Sequence, residues 1–147
     1  MKVINYTEEF AGATGQPFYI PDPDVAAQRK AREDAVKAGR PTYEKPMIKG
    51  TFASIMIWFA DNMPHNEEYD EKGRPTRKLT IEDSGNAYEV IKAFRAAKDG
   101  RVELEDAVYK WLLGAVDTDG IAAFRAASMA ALIKERLQDL KEQRLPE

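Results

Sequence analysis

The carboxylates of "GAVDTDGIAAF", residues 114–124, are the residues whose order most resembles a reactive or ligating site. Asp117 and Asp119 alternate ahead of Gly120, as the oxygen donors of a calcium loop do. Such a loop needs ligands at its first, third and fifth positions, glycine at the sixth and a bidentate glutamate at the twelfth. With Gly120 sixth, the first position is Ala115 and the twelfth is Ala126, so the anion that closes the cage is missing. Placing Asp117 first puts Ile121 fifth and loses the glycine. Neither register binds a metal. The segment is expected instead to start the last helix, with Asp117, Thr118 or Asp119 capping free N–H groups at its positive end.

Other candidates for chemistry are few. His65 is the only histidine, and it falls in a charged loop, where it reads as a surface residue. Ser54, Ser84 and Ser128 lie in or near predicted helix starts, without the strand–turn–helix context of a nucleophile elbow. The acidic pairs Glu67–Glu68, Glu82–Asp83 and Glu105–Asp106 mostly occupy first helical turns, where negative charge stabilises the helix end. Phosphate-binding glycine motifs are absent, and without cysteine there is no disulfide, thiolate metal site or cysteine nucleophile. The sequence therefore predicts a non-enzymatic protein with no catalytic residue, cofactor or metal. "KGRPTRK" at 72–78 is the best basic cluster, and Lys72, Arg74, Arg77 and Lys78 could touch phosphates. "NEEYDE" directly before it offsets that charge, and no aromatic interleaves with the basic residues as single-strand binding favours. With 22 basic and 25 acidic residues the net charge is −3, so no broad attraction to nucleic acid is expected.

These residues must be positioned by a mainly α chain. The expected fold is a small core of four helices over 51–62, 80–98, 103–115 and 120–143, behind an extended N-terminal arm. Thr51 caps a helix apolar almost all round, "FASIMIWFA", the mark of a central buried element. That run is far too short to span a membrane. Thr80 and Asp83 have capping-box spacing, and Ile81, Tyr88, Ile91 and Phe94 would form the inner face of their helix. Leu104, Val108, Trp111 and Leu112 face inward in the third helix. Ala122, Ala126, Met129, Ile133, Leu137 and Leu140 do so in the fourth.

Residues 1–50 read as the arm and 51–147 as the helical domain. "KVINY" and "PFYI", joined by "FAGATGQP", are expected to pair as a hairpin. "PDPDVAAQRKAREDAVKAGRP" reads as an exposed helix over 22–38, capped by Asp22 with Pro23 at its first position and stopped at Gly39. Its apolar stripe is thin. The arm carries Val3, Ile4, Tyr6, Phe10, Phe18, Tyr19, Ile20, Tyr43 and Met47 with too few local partners for a core of its own. These nine residues are accordingly expected to bind a partner, either another copy of the chain or a different protein.

The order of features carries a resemblance. "MKVINY", the turn "FAGATGQPF", the helix "TFASIMIWFADNM", then "LTIEDSGNAYEVIKAF" and "RVELEDAVYKWLLGAV" resemble small proteins encoded by tailed bacteriophages and prophages. Such proteins often open with an extended segment bearing a "D-G-K-P"-like turn and close with an "E-L-x-x-x-D" helix followed by an alanine-rich one. Here "GATGQP" stands at the turn, and the helix at 22–38 is additional. No catalytic residue carries over. The resemblance implies a protein of the bacterial host cytoplasm that enters or helps build the virion, acting by protein–protein contacts in virion or tail assembly. Two alternatives use the same surfaces: a host-takeover or anti-defence factor that inhibits a bacterial protein, and a nucleic-acid-binding regulator centred on the 72–78 cluster.

Overall fold

A computed structural model describes residues 1–42 and 46–138. Along them run β1 (Lys2–Asn5), β2 (Tyr19–Pro21), α1 (Val25–Ala38), β3 (Met47–Lys49), α2 (Phe52–Asp61), α3 (Ile81–Ala96), β4 (Arg101–Leu104), α4 (Asp106–Phe124) and α5 (Ala127–Gln138). The chain is mainly α, with five helices among the described residues. Tyr43 and Leu140 lie outside those residues.

Local chemistry sets the helix starts. Thr51 accepts from the Ser54 amide while the Ser54 hydroxyl accepts from the Thr51 amide, and Thr80 and Asp83 form the same reciprocal box. Each box satisfies two donors that the first turn would leave unpaired. α1 begins two residues later than expected: Asp24, not Asp22, accepts from the Ala26 amide. Asp22 instead accepts from the Asp24 amide, and its carbonyl holds the Gln28 side chain at 2.6 Å. Gly39 ends α1 in the left-handed conformation expected of it.

The strands correct the expected hairpin. β1 pairs antiparallel with β4, Ile4 opposite Val102, and β2 pairs with β3, Ile20 opposite Ile48. β4 takes residues assigned to the start of the third helix, because alternate burial of Val102 and Leu104 suits a strand against the core. Gly100, at φ 71, turns the chain into β4 and accepts from the Tyr6 amide at 2.7 Å.

α2 is the central helix, with Phe52, Ile55, Met56, Phe59 and Ala60 buried. It packs on α3, and α4 packs on α5. On α3 the buried residues are Val90 and Phe94. Tyr88 is exposed, as is Ile81 at 91%. Phe94 is buried as expected and Ile91 packs partly buried against the core, but Val90 takes the inward place expected of Ile81 and Tyr88. Ile133 and Leu137 of α5 are buried as expected, but the inner alanines are Ala123 near the end of α4 and Ala130 in α5, while Ala122 and Ala126 are exposed.

The largest departure concerns the opening aspartates. "VDTDG" caps nothing; it lies inside α4, which runs unbroken to Phe124 and ends on Arg125 in the left-handed region. Gly120 is buried in that helix, where a Cβ would stand 3.1 Å from the Ala130 Cβ. It lets α5 approach closely.

Residues on both sides of position 50 share one core. Ile4, Phe10 and Ile20 are at most 2% exposed within it. The ring of Phe10 lies 6.3 Å from that of Phe52, and Phe18 lies 5.6 Å from both Trp58 and Phe124. The backbone joins in, as the Phe52 amide donates to the Glu8 carbonyl at 2.9 Å, filling one open position of the α2 terminus. For Ile4, Phe10 and Ile20 the cover anticipated from another molecule is supplied within the chain itself.

Candidate functional site

Asp119 is the one charged or polar residue among those described that is fully buried. Its Oδ1 accepts from Arg77 Nη1 in an ion pair, and its Oδ2 accepts from the His65 amide at 2.9 Å. Arg77 also donates to the Asn66 carbonyl at 2.8 Å, and the Asn66 side chain donates to the Thr118 carbonyl. A buried carboxylate is tolerable only when paired and hydrogen-bonded. Here both of its oxygens are engaged, and the loop between α2 and α3 is pinned to α4. His65 belongs to the same clip. It is half-buried rather than on the surface, its ring stacks on Phe59 at 5.0 Å, and Nε2 lies 2.8 Å from the Phe59 carbonyl. That contact to an acceptor requires the Nε2–H form.

The cluster at 72–78 is divided by these bonds. Arg77 is taken by Asp119, and Arg74 pairs with Asp70 at 3.3 Å. Lys72 and Lys78 are exposed, while the amides of Lys72 and Arg74 both donate to Asp70 Oδ1 in a tight turn. No group of three or more potential metal ligands occurs among the described residues, and none of their helices is long and apolar enough to cross a membrane.

The nine expected partner-binding residues separate sharply. Ile4, Phe10 and Ile20 are buried, and Val3, Tyr6 and Phe18 are half-buried. Burial first, and then the bond to Glu8, raises the Tyr6 hydroxyl well above the ordinary phenol range. Tyr19 and Met47 are each 54% exposed, and they flank the outer face of the β2–β3 ribbon. Between these strands the chain makes the excursion that contains α1. Ala35 is the only buried residue of α1, and no residue of the helix belongs to the shared core. Val25 and Val36 project into solvent.

Two hollows meet at Asp61, the last residue of α2. The larger, about 330 Å³, is walled by Met63, Tyr88, Ile91, Trp111 and Asp83. The smaller, about 210 Å³, lies at the root of α1 between Pro21, Pro23, Gln28, Ile57 and Trp58. Each holds one of the chain's two tryptophans, and among the described residues neither is lined by lysine or arginine. In the larger hollow Trp111 Nε1–H donates to Asp83 Oδ1 at 2.9 Å. The Thr80 backbone bond and then this indole bond hold the Asp83 carboxyl below its usual range.

Sequence reasoning missed Asp61 and the pairing of Asp83 with Trp111. Asp83 was visible as a cap, but its second oxygen meets an indole on another helix. Asp61 carried no signal beyond its place at a helix end. Comparison with protein-family models, with curated proteins and with solved structures finds no match to this chain.

Proposed function

We propose that the chain is a non-enzymatic bacteriophage protein that acts through protein–protein contacts, in virion or tail assembly. The observation that carries the contact reading is α1. A helix of 14 residues buries only Ala35 and gives no residue to the shared core, yet it is capped at both ends and exposes Val25 and Val36, while Tyr19 and Met47 are exposed on the neighbouring strands. Ordering such a segment costs conformational entropy that its own packing barely offsets, and burial against a partner would supply the missing area.

The residues with the best claim to chemistry are engaged elsewhere, which supports a non-catalytic reading. Asp119 holds Arg77, His65 Nε2 faces a carbonyl, and Ser54 and Asp83 close capping boxes. The nucleic-acid alternative loses Arg77 and Arg74 to carboxylates. The virion setting is drawn from the tailed-phage resemblance.

A photo-crosslinking side chain at Val25, Val36, Tyr19 or Met47, compared with Glu89 and Lys110 on α3 and α4, tests the proposal in particle-producing cells. Crosslinks to particle proteins are expected from the first four positions only. Equal yields from all six, or none from the first four, would refute it.

A further inference from the structure

α1 carries one more pattern. At 3.6 residues per turn, Val25, Arg29, Arg32 and Val36 fall in a single line about 16 Å long, with two guanidinium groups between two valines. All four are exposed, and neither arginine forms an ion pair among the described residues. The helix attaches to the body by a different line, on which Ala27, Gln28, Ala31 and Ala35 are the shielded residues.

The groove made by the two hollows has the opposite character. Its walls are apolar and aromatic, and among the described residues its charges are the carboxylates of Asp22, Asp61 and Asp83, with no cation lining it. It also lies at the C-terminal end of α2, where the helix dipole adds negative potential. Apolar groups at the ends of a basic stripe thus find a tryptophan-bearing hollow on either side of an acidic centre.

We infer that the groove receives α1 of a second copy of this chain, with Val25 and Val36 entering the two hollows and Arg29 and Arg32 meeting Asp61 and its neighbouring carboxylates. This rests on the contact reading above and names the partner. Stripe and groove are different surfaces, so two copies either exchange α1 reciprocally about a two-fold axis or dock head to tail, each then keeping one free stripe and one free groove. Head-to-tail contacts propagate into a ring or a filament. Packing two α1 stripes face to face would oppose arginine to arginine, which disfavours that arrangement.

Sedimentation velocity on the full chain tests this. The wild-type mass should rise with concentration and fall when salt is raised, as charge-steered contacts do. Arg29→Glu/Arg32→Glu and Asp61→Arg alter only exposed side chains. Each should weaken association at least about tenfold, since several surface charge contacts of up to about 1 kcal/mol are reversed together. Arg29→Gln/Arg32→Gln serves as a milder variant should the reversal disturb folding. Mixing the two charge-reversed variants should restore association, since the intact stripe meets the intact groove and the reversed stripe meets the reversed groove with opposite charge. A wild type monomeric at about 0.5 mM, variants that associate like wild type, or a mixture that stays monomeric would each overturn the inference. If α1 still crosslinks to particle proteins while the wild type stays monomeric, only the identity of the partner fails. If both fail, the contact reading fails as well.

Discussion

Asp119 shows how little a residue's neighbours in sequence disclose of its work. In "VDTDG" it looks like a ligand or a cap. In the fold it anchors a loop, through Arg77 and the His65 amide. Removing one member of a buried pair strands the other, so Asp119→Ala should cost about 3 kcal/mol in urea unfolding and speed proteolysis of the 63–79 loop. Arg77 is partly open to water, which argues against a larger cost. Joint replacement by Asp119→Leu and Arg77→Met should recover much of that loss, because no unpaired charge remains. Asp83 has a pH signature. Its folded-state pKa lies below the ordinary 3.8, so the stability it contributes is complete above that value. That contribution disappears as pH falls through the depressed folded pKa. Asp83→Asn should flatten this acid-side decline, and the Trp111 indole N–H resonance of the wild type should shift over the same range.

Among the elements, α1 and the turn into β4 make opposite predictions. Since α1 adds nothing to the core, replacing residues 22–46 by a two-residue Asn-Gly turn should join β2 to β3 directly as a hairpin. The shortened chain should unfold cooperatively within about 1–2 kcal/mol of the parent, the range expected when no core group is lost. Loss of the fold would show that α1 is structural and not a contact element. At Gly100, by contrast, an added Cβ would collide with the Tyr6 carbonyl oxygen in a left-handed backbone conformation. Gly100→Ala should therefore cost at least about 2 kcal/mol by thermal or chemical unfolding. Capping of α2 and α3 was legible because it is decided within four residues. The inward face of α3 was legible only in part: Phe94 is buried as its spacing implied, but only packing against α2 selects Val90 over Ile81 and Tyr88.

At the scale of the molecule, the N-terminal strand is part of the core. Ile4→Ala should destabilise by about 2–5 kcal/mol, the same range as Leu112→Ala in α4, because both side chains are fully enclosed. A strand acting as a loose arm would give a far smaller value for Ile4. Exposed apolar side chains remain on the β2–α1–β3 excursion, at Tyr19, Val25, Val36 and Met47, whereas Ile4, Phe10 and Ile20 are enclosed.

By itself the sequence determined the helical class, the Thr51 cap, the Thr80–Asp83 capping box, the central position of α2 and the exposure of α1, since capping and apolar periodicity act over a few neighbouring residues. Only tertiary structure decided that β1 lies on β4, that "VDTDG" continues a helix and that Asp119 is buried beside Arg77. Each of those depends on a partner distant along the chain, and the free energy of such a contact exists only once the two segments have been brought together.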